Sequence, residues 1–526
     1  MRSLTPADLK AMCADGEELA ILDLREELIF SRAHLLHARS LPLSRLELRM
    51  ARLVPRRTTR VVLCDDNDGL AERAAQVLRR HGYDNLFVLA GGVAAWAKAG
   101  FELFSGVHVP SKGFGEFIEH DSGTPSIPAE ELERLMREGT NLVVLDSRPL
   151  EEYARMSIPG AINVPGAELV LRVRDLAPSP DTLVVVNCAG RTRSIIGAQS
   201  LIEADVPNKV VALRNGTMGW NLAGFDCETG KSRRAPAPSV AGAAWAKAAA
   251  DQVASRFGVA RIDRATLDRF RSEQDRTLYL FDVRDPSEYV AGHVAGALSA
   301  PGGQLVQATD QYVGTLGARI VLVDDKEVRA LMTASWLRRM GWKDVFVLVE
   351  SGTETGLPEN PVLGADPAPE LRIDVDKLAD LLAQSRATVI DLSLSRNYKA
   401  AHIPGAWFAI RARLAQAIER IPLQGTLVLT SEDGVLAGLA APEARALKQI
   451  PVRYLAGGNA AWRKAGHSLT SEHERMADEA IDIWLRPYEL PDAPKSAMVD
   501  YLTWETDLLP RLKRDGYLDL LRAGRT

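Results

Sequence analysis

Val184-Val185-Val186-Asn187-Cys188-Ala189-Gly190-Arg191-Thr192-Arg193-Ser194-Ile195-Ile196-Gly197-Ala198-Gln199 is the stretch on which the reading of this chain turns. The apolar run up to Asn187 has the character of a buried strand, Cys188 to Arg193 that of a tight loop, and Ser194 opens a helical pattern. A cysteine is thereby placed where a strand ends and a helix begins. Backbone N–H groups of such a loop converge, the helix N-terminus adds partial positive charge, and Arg191 and Arg193 add two full charges. That setting favours a thiolate, and so a nucleophile, over an inert core thiol.

Composition narrows the remaining classes. At 526 residues the chain has room for roughly three to five domains. Its 46% apolar and 25% charged residues are those of an ordinary soluble protein, and a net charge of -5 points to no nucleic-acid or polyanion partner. No apolar leader opens the sequence and no run approaches a membrane span, so a cytoplasmic location and no membrane partner are expected. Cys13, Cys64, Cys188 and Cys227 show neither paired metal spacing nor disulfide density. Reduced thiols, with no metal and no cofactor, are expected.

Three signatures recur along the chain, always in the same order. The first is an apolar strand ending in Asp, at Asp23, Asp146, Asp282 and Asp391, followed in three copies by Arg two residues on, at Arg25, Arg148 and Arg284. The second follows an aromatic residue (Phe30, Tyr153, Tyr289, Tyr398) and reads His34-Leu35-Leu36-His37-Ala38, Ser157-Ile158-Pro159-Gly160-Ala161, His293-Val294-Ala295-Gly296-Ala297 and His402-Ile403-Pro404-Gly405-Ala406. The third is a glycine turn before Trp96, Trp220 and Trp462, which decays to Glu350-Ser351-Gly352 in the third copy. Apolar strands such as Arg60–Leu63, Leu183–Val186, Ile320–Val323 and Leu427–Leu429 alternate with helical stretches. That alternation predicts a mostly parallel α/β sheet in each copy with helices on both faces, and ligands beyond the carboxyl ends of the strands, where the Cys188 loop lies. The copies fall at 1–108, 122–228, 259–352 and 370–470. A linker with an Ala-rich helix occupies 229–258, a Pro- and Gly-rich connection runs from Gly356 to Pro369, and 471–526 is a C-terminal helical tail whose aromatics suit packing on the other domains.

Asp-x-Arg, the His-Ile-Pro-Gly-Ala signature, the strand ending in a cysteine loop and the glycine turn before Trp together resemble the rhodanese-like sulfurtransferases, over four tandem modules and about four-fifths of the chain. The resemblance implies an α/β fold with a central parallel sheet and transfer of sulfane sulfur through a cysteine persulfide. Counting 32 residues back from the tryptophans puts Cys64, Cys188 and Thr430 at the cysteine position, and matching Gly341 to Gly82 puts Val323 there in the third copy. Only the second module then carries both the cysteine and a basic loop, because Cys64 is followed by Asp65, Asp66 and Asp68, which oppose a thiolate and an anionic donor. Modules one, three and four are expected to be inactive, and Cys13 and Cys227 to be structural.

The expected chemistry is attack of Cys188 on a donor, with Ala189, Gly190, Arg191, Thr192 and Arg193 of the loop holding the anion. Arg148 is similar to a family arginine that contacts the donor, although an ion pair with Asp146 or Glu152 accounts for it equally well. Ser157 stands where the other modules have histidine, which speaks for a structural histidine. Thiosulfate is the favoured donor, since a dianion gains most from two arginines; 3-mercaptopyruvate is the alternative, and a thiol or cyanide is the acceptor. A phosphatase loop would need arginine where Ser194 stands, because only four residues separate Cys188 from Arg193. A persulfide carrier or interaction scaffold is the other reading, and the sequence sets no oligomeric state.

Overall fold

The computed structural model describes residues 2–358, 360–364, 368–473 and 475–523. The expected connection from Gly356 to Pro369 lies partly outside these, as do the first residue of the first module and residues 474 and 524–526 of the tail. No described helix is long and apolar enough to cross a membrane.

The second module shows the plan. Strands Ser126–Ile127, Leu142–Asp146, Ile162–Asn163, Leu183–Asn187 and Val210–Leu213 alternate with helices Ala129–Arg137, Leu150–Arg155, Leu169–Leu176, Thr192–Glu203 and Gly216–Leu222. Every pairing between these strands is parallel, with Leu183–Asn187 held between Leu142–Asp146 and Val210–Leu213. Val184, Val185 and Val186 are wholly buried, as a central strand covered on both faces requires. The third and fourth modules repeat the five-stranded order, and the first carries the same strands in the same order around Arg60–Cys64.

The recurring signatures have visible causes. Tyr153, Tyr289 and Tyr398 each donate a hydroxyl hydrogen bond to the carbonyl eight residues on, at Ala161, Ala297 and Ala406 (2.6, 2.8 and 2.8 Å). His34, His293 and His402 stack on Phe30, Tyr289 and Tyr398 at 3.8 to 4.0 Å, so they are packed structural rings. Trp220 and Trp462 donate to the carbonyls of Asp226 and Ser468 and pin the chain leaving each sheet.

The chain divides into two compact units. The first, Met1–Ala11, Ala20–Ala99 and Glu359–Trp484, holds modules one and four. They meet through Arg411, which is buried and ion-paired with Glu47 (2.8 Å). The second, Met12–Leu19, Gly100–Pro358 and Leu485–Thr526, holds modules two and three with the C-terminal helices. The Ala-rich helix runs from Val240 to Arg256, is capped by the Ser239 hydroxyl, and packs on helices of both modules of that unit.

Candidate active site

Cys188 is the first residue beyond its strand, and its neighbour Asn187 is paired with Asp146 at the strand ends. The helix behind it starts at Thr192, two residues before the pattern suggested, because the Ser194 hydroxyl bonds back to the Arg191 carbonyl (2.7 Å) and tightens the entry. Ser194 Oγ also lies 3.5 Å from Cys188 Sγ. The carbonyls of Cys188 and Ala189 accept hydrogen bonds from the N–H groups of Thr217 (2.8 Å) and Met218 (3.0 Å), at the start of helix Gly216–Leu222. Gly216, at φ +52°, makes that approach possible: a Cβ there would collide with the Cys188 carbonyl oxygen. Peptide planarity then turns the N–H groups of Ala189 and Gly190 to the opposite side, into the loop. Among the described residues no protein acceptor meets the N–H groups of Gly190, Arg193 or Ser194.

The register corrects the alignment of the four loops. The Cys188 carbonyl accepts from the N–H of Thr217 in helix Gly216–Leu222, as the Asp65 carbonyl accepts from Val93 and the Ser431 carbonyl from Asn459. Asp282 pairs with Val323, and Asp391 with Thr430, as Asp146 pairs with Asn187. The structural counterparts of Cys188 are therefore Asp65, Asp324 and Ser431, and those of Asn187 are Cys64, Val323 and Thr430. The count from tryptophan slipped by one because the second module has one more residue between its loop and its tryptophan. Cys64 is a fully buried strand residue, not the occupant of a loop.

Oxygen occupies the corresponding place in all three other modules. Asp65 accepts from the N–H groups of Asn67 (2.9 Å) and Ala71 (3.0 Å). Asp324 accepts from Lys326 (3.2 Å), Arg329 (2.9 Å) and Ala330 (3.3 Å), and Ser431 Oγ from Ala437 (3.3 Å). These donors stand two, five and six residues after the loop's first residue, the positions of Gly190, Arg193 and Ser194 in the second module.

The arginines singled out in the sequence all lie in this region, each tied to carboxylates. Arg148 is 1% exposed and bonds Asp146 through Nε and Nη2 (2.9 and 2.7 Å) and the Met156 carbonyl (2.7 Å). Arg25 and Arg284 repeat that geometry on Asp23 and Asp282. Arg191 spans Glu116 (2.8 Å) and Glu119. Arg193 makes a two-pronged pair with Glu152 (3.0 and 2.7 Å) and reaches Gln304 of module three (3.0 Å). Module three mirrors this: Arg329 pairs Glu288 (2.5 Å) and reaches Glu168 of module two (2.8 Å). Burial works against charge on Glu152, but Arg193, helped by Arg486 and Arg148, more than offsets it and holds the carboxyl well below its usual range. Burial dominates at Glu116 and raises its carboxyl despite Arg191. Of the remaining thiols, Cys13 and Cys227 are half-buried, and burial pushes Cys227 up to about 11.

Two segments outside the repeats close over the loop: a helix that no repeat signature marked, and the C-terminal tail, whose aromatics suited packing but whose place at the loop no pattern showed. Helix Val109–Ser122 supplies Lys112, Glu116 and Glu119, and its Gly115 lies against Thr192. The C-terminal helices supply Glu505, which is fully buried, takes Lys112 (2.8 Å) and lies beside Gly190. Arg486 and Tyr488 from the same end of the chain reach Glu152. Glu152 alone carried a usable signal, since it recurs as Glu288 at the same distance from the strand-end aspartate.

Comparison with known proteins bears on the whole chain. The Rhodanese-like domain family matches residues 5–99, 128–223, 266–354 and 374–465. A crystal structure of a thiosulfate sulfurtransferase from Pseudomonas aeruginosa superposes with a TM-score of 0.96 at 48% identity, over 98% of this chain and 99% of that one. An HTH-type transcriptional regulator of Mycobacterium tuberculosis is 31% identical over 29% of this chain and 66% of its own length. The 3-mercaptopyruvate sulfurtransferase of Escherichia coli is 28% identical over 28% of this chain and 60% of its own. The chain thus spans less than two thirds of either of these two relatives. With four matches that together cover most of its length, each on one of the four parallel sheets, the chain belongs to the rhodanese-like family.

Proposed function

We propose that this protein is a rhodanese-type sulfurtransferase that carries sulfane sulfur as a persulfide on Cys188. One observation carries the reading: the backbone donors that hold the Asp65 and Asp324 carboxylates in modules one and three stand at the loop positions that in module two are Gly190, Arg193 and Ser194, and there the loop begins with a thiol. A cradle that binds a built-in anion in two copies suits an anionic sulfur in the third. The Cys188 thiolate attacks the outer sulfur of thiosulfate; the S–S bond of the donor breaks, and sulfite leaves with its electron pair. The Cys188 persulfide anion then rests on the N–H groups of Gly190, Arg193 and Ser194. A thiol or cyanide attacks its outer sulfur, and Cys188 departs again as thiolate.

Ala189, Gly190 and Thr192 serve through the loop backbone. Arg191 and Arg193 add positive field from within their ion pairs, and Arg148, spent on Asp146, adds less. Thiosulfate is the preferred donor in this reading, supported by the likeness to the Pseudomonas aeruginosa enzyme over the whole chain. Modules one, three and four act as scaffold, and cysteines outside any disulfide fit a cytoplasmic setting.

Intact mass after incubation with thiosulfate tests this. A gain of about 32 Da, one sulfur, that persists in Cys64→Ser and vanishes in Cys188→Ser is the expected result. A gain only with 3-mercaptopyruvate moves the donor, and no gain with either overturns the reading.

A further inference from the structure

The four loops differ in how much solvent they see. In module one Asp66, Asn67 and Asp68 are exposed; in module three Asp325 and Lys326 stand near the surface, and in module four Asp433 does. In module two every residue from Cys188 to Ser194 is buried, with Cys188 at 2% exposure. The one loop with a nucleophile is the one that is covered.

The cover is a fixed wall. Tyr501 lies against Gly190 and hydrogen bonds Glu505 (3.2 Å), while Met218 beside it packs with Met498 and Leu502. Glu505 is locked by Lys112 and by the Thr192 hydroxyl (3.3 Å). The Trp504 indole donates to the Ser105 carbonyl (3.0 Å) and sits on Gly106, Leu512 fills the space at Gly113, and Arg511 and Arg514 both pair with Glu102 (3.0 Å each). On the other flank Tyr488 and Arg486 approach Glu152, the partner of Arg193. Neither this segment nor helix Val109–Ser122 falls within the stretches matched by the rhodanese-like domain.

Building on the persulfide reading above, we infer that the segment from Arg486 to Glu505 determines specificity: it limits sulfur acceptors at Cys188 to small molecules and shuts out protein thiols. A protein acceptor must bring a folded surface to the loop, and Tyr488, Tyr501 and Glu505 occupy the ground that surface would need. A small thiol needs only a narrow path to the outer sulfur. Its sulfur bonds to that atom, the persulfide bond breaks, Cys188 keeps the electron pair, and the thiol proton passes to water.

The test compares two dithiols of like chemistry and unlike size, dithiothreitol and reduced thioredoxin, discharging the full-length protein preloaded with sulfur. Loss of the added mass is followed with time. The native chain is expected to pass sulfur to dithiothreitol at least 100-fold faster, per molar of acceptor, than to thioredoxin, roughly the factor that a steric barrier of a few kcal/mol imposes. Tyr488→Ala combined with Tyr501→Ala is expected to narrow that ratio at least tenfold, on the order of 1.4 kcal/mol. Should this variant fold poorly, the native chain still decides, because iodoacetamide is expected to alkylate Cys188 while a polyethylene-glycol maleimide does not. Discharge by both dithiols at similar rates, or equal labelling by both reagents, overturns the inference and leaves the persulfide reading standing. Failure to load sulfur at all overturns the persulfide reading itself.

Discussion

Modules two and three present equivalent loops on equivalent sheets within one unit, and fill them differently. In module three Asp324 takes three backbone N–H groups and the Arg329 guanidinium, so every donor is met from within. In module two the residue in that place is Cys188, and the equivalent donors have no protein acceptor among the described residues. The comparison separates what the fold needs from what chemistry needs. Arginine five residues into the loop, paired with a glutamate of its own module and reaching across to the neighbour, belongs to both modules and so to the fold; the sulfur belongs to one.

The largest effect comes from erasing the difference. Cys188→Asp is expected to abolish persulfide formation and lower sulfur transfer by about six orders of magnitude, the scale on which loss of a covalent nucleophile acts. The carboxylate should accept from Gly190 and Ser194 as Asp65 and Asp324 accept from their loops, leaving the thermal midpoint unchanged or raised. A loss of more than about 2 kcal/mol in denaturant unfolding would show that the loops are not equivalent.

Next is the arginine shared by both modules. Arg329 is fully buried among Asp324, Asp325, Glu288 and Glu168. Arg329→Met removes one partner and strands two buried carboxylates, Asp324 and Glu168, which should cost about 3–5 kcal/mol in chemical unfolding. Persulfide loading per folded molecule should be retained. Arg193→Met should cost a comparable amount and slow loading as well. If Arg329→Met silenced Cys188 at unchanged stability, the pair across the two modules would be part of the chemistry.

Two buried glutamates extend the contrast to the other unit. Glu152 is held ionised by its arginines, whereas burial, with Asp482 nearby, pushes Glu26 up to about 7 despite the Ser44 hydroxyl and Arg45. A folded carboxyl above its ordinary 4.5 binds its proton more tightly folded than unfolded, so its contribution is full below that value and falls as pH rises towards 7. The loss is on the order of 3 kcal/mol. Urea unfolding of native and Glu26→Gln protein at pH 5 and pH 8 checks it: the variant should be the more stable at pH 8 and should lose the slope between.

How much of this was readable beforehand follows from what each feature depends on. The sheets, their parallel strands and the cysteine loop rest on local patterns that repeat along the chain, and Leu183–Asn187, Thr192–Glu203 and the Ala-rich helix appear where those patterns put them, within a residue or a few at their ends. The pairing of module one with four and of two with three depends on side chains far apart in sequence, such as Arg411 with Glu47 and Arg329 with Glu168, and no local pattern encodes it. The closing of the loop depends on Lys112, Tyr501 and Glu505, which lie in segments without a repeat to align. Arg191 and Arg193 were legible as charges near a thiol, but not as charges already matched by Glu116, Glu119 and Glu152.

Cys64 shows how much hangs on a single position. Counted from Trp96 it stood in the loop; the strand pairing puts Asp65 there and leaves Cys64 as the last residue of Arg60–Cys64, fully buried. A thiol in that place is a small packing group. Cys64→Ala should therefore cost only about 1 kcal/mol of stability, in line with a small cavity, and leave sulfur loading and turnover as they were. The converse would be decisive: if alkylation or mass spectrometry found sulfur on Cys64 in the Cys188→Ser protein, the loop of module one would have to open far enough to turn a strand residue outward, and the register that makes Asp65 the partner of Cys188 would be wrong.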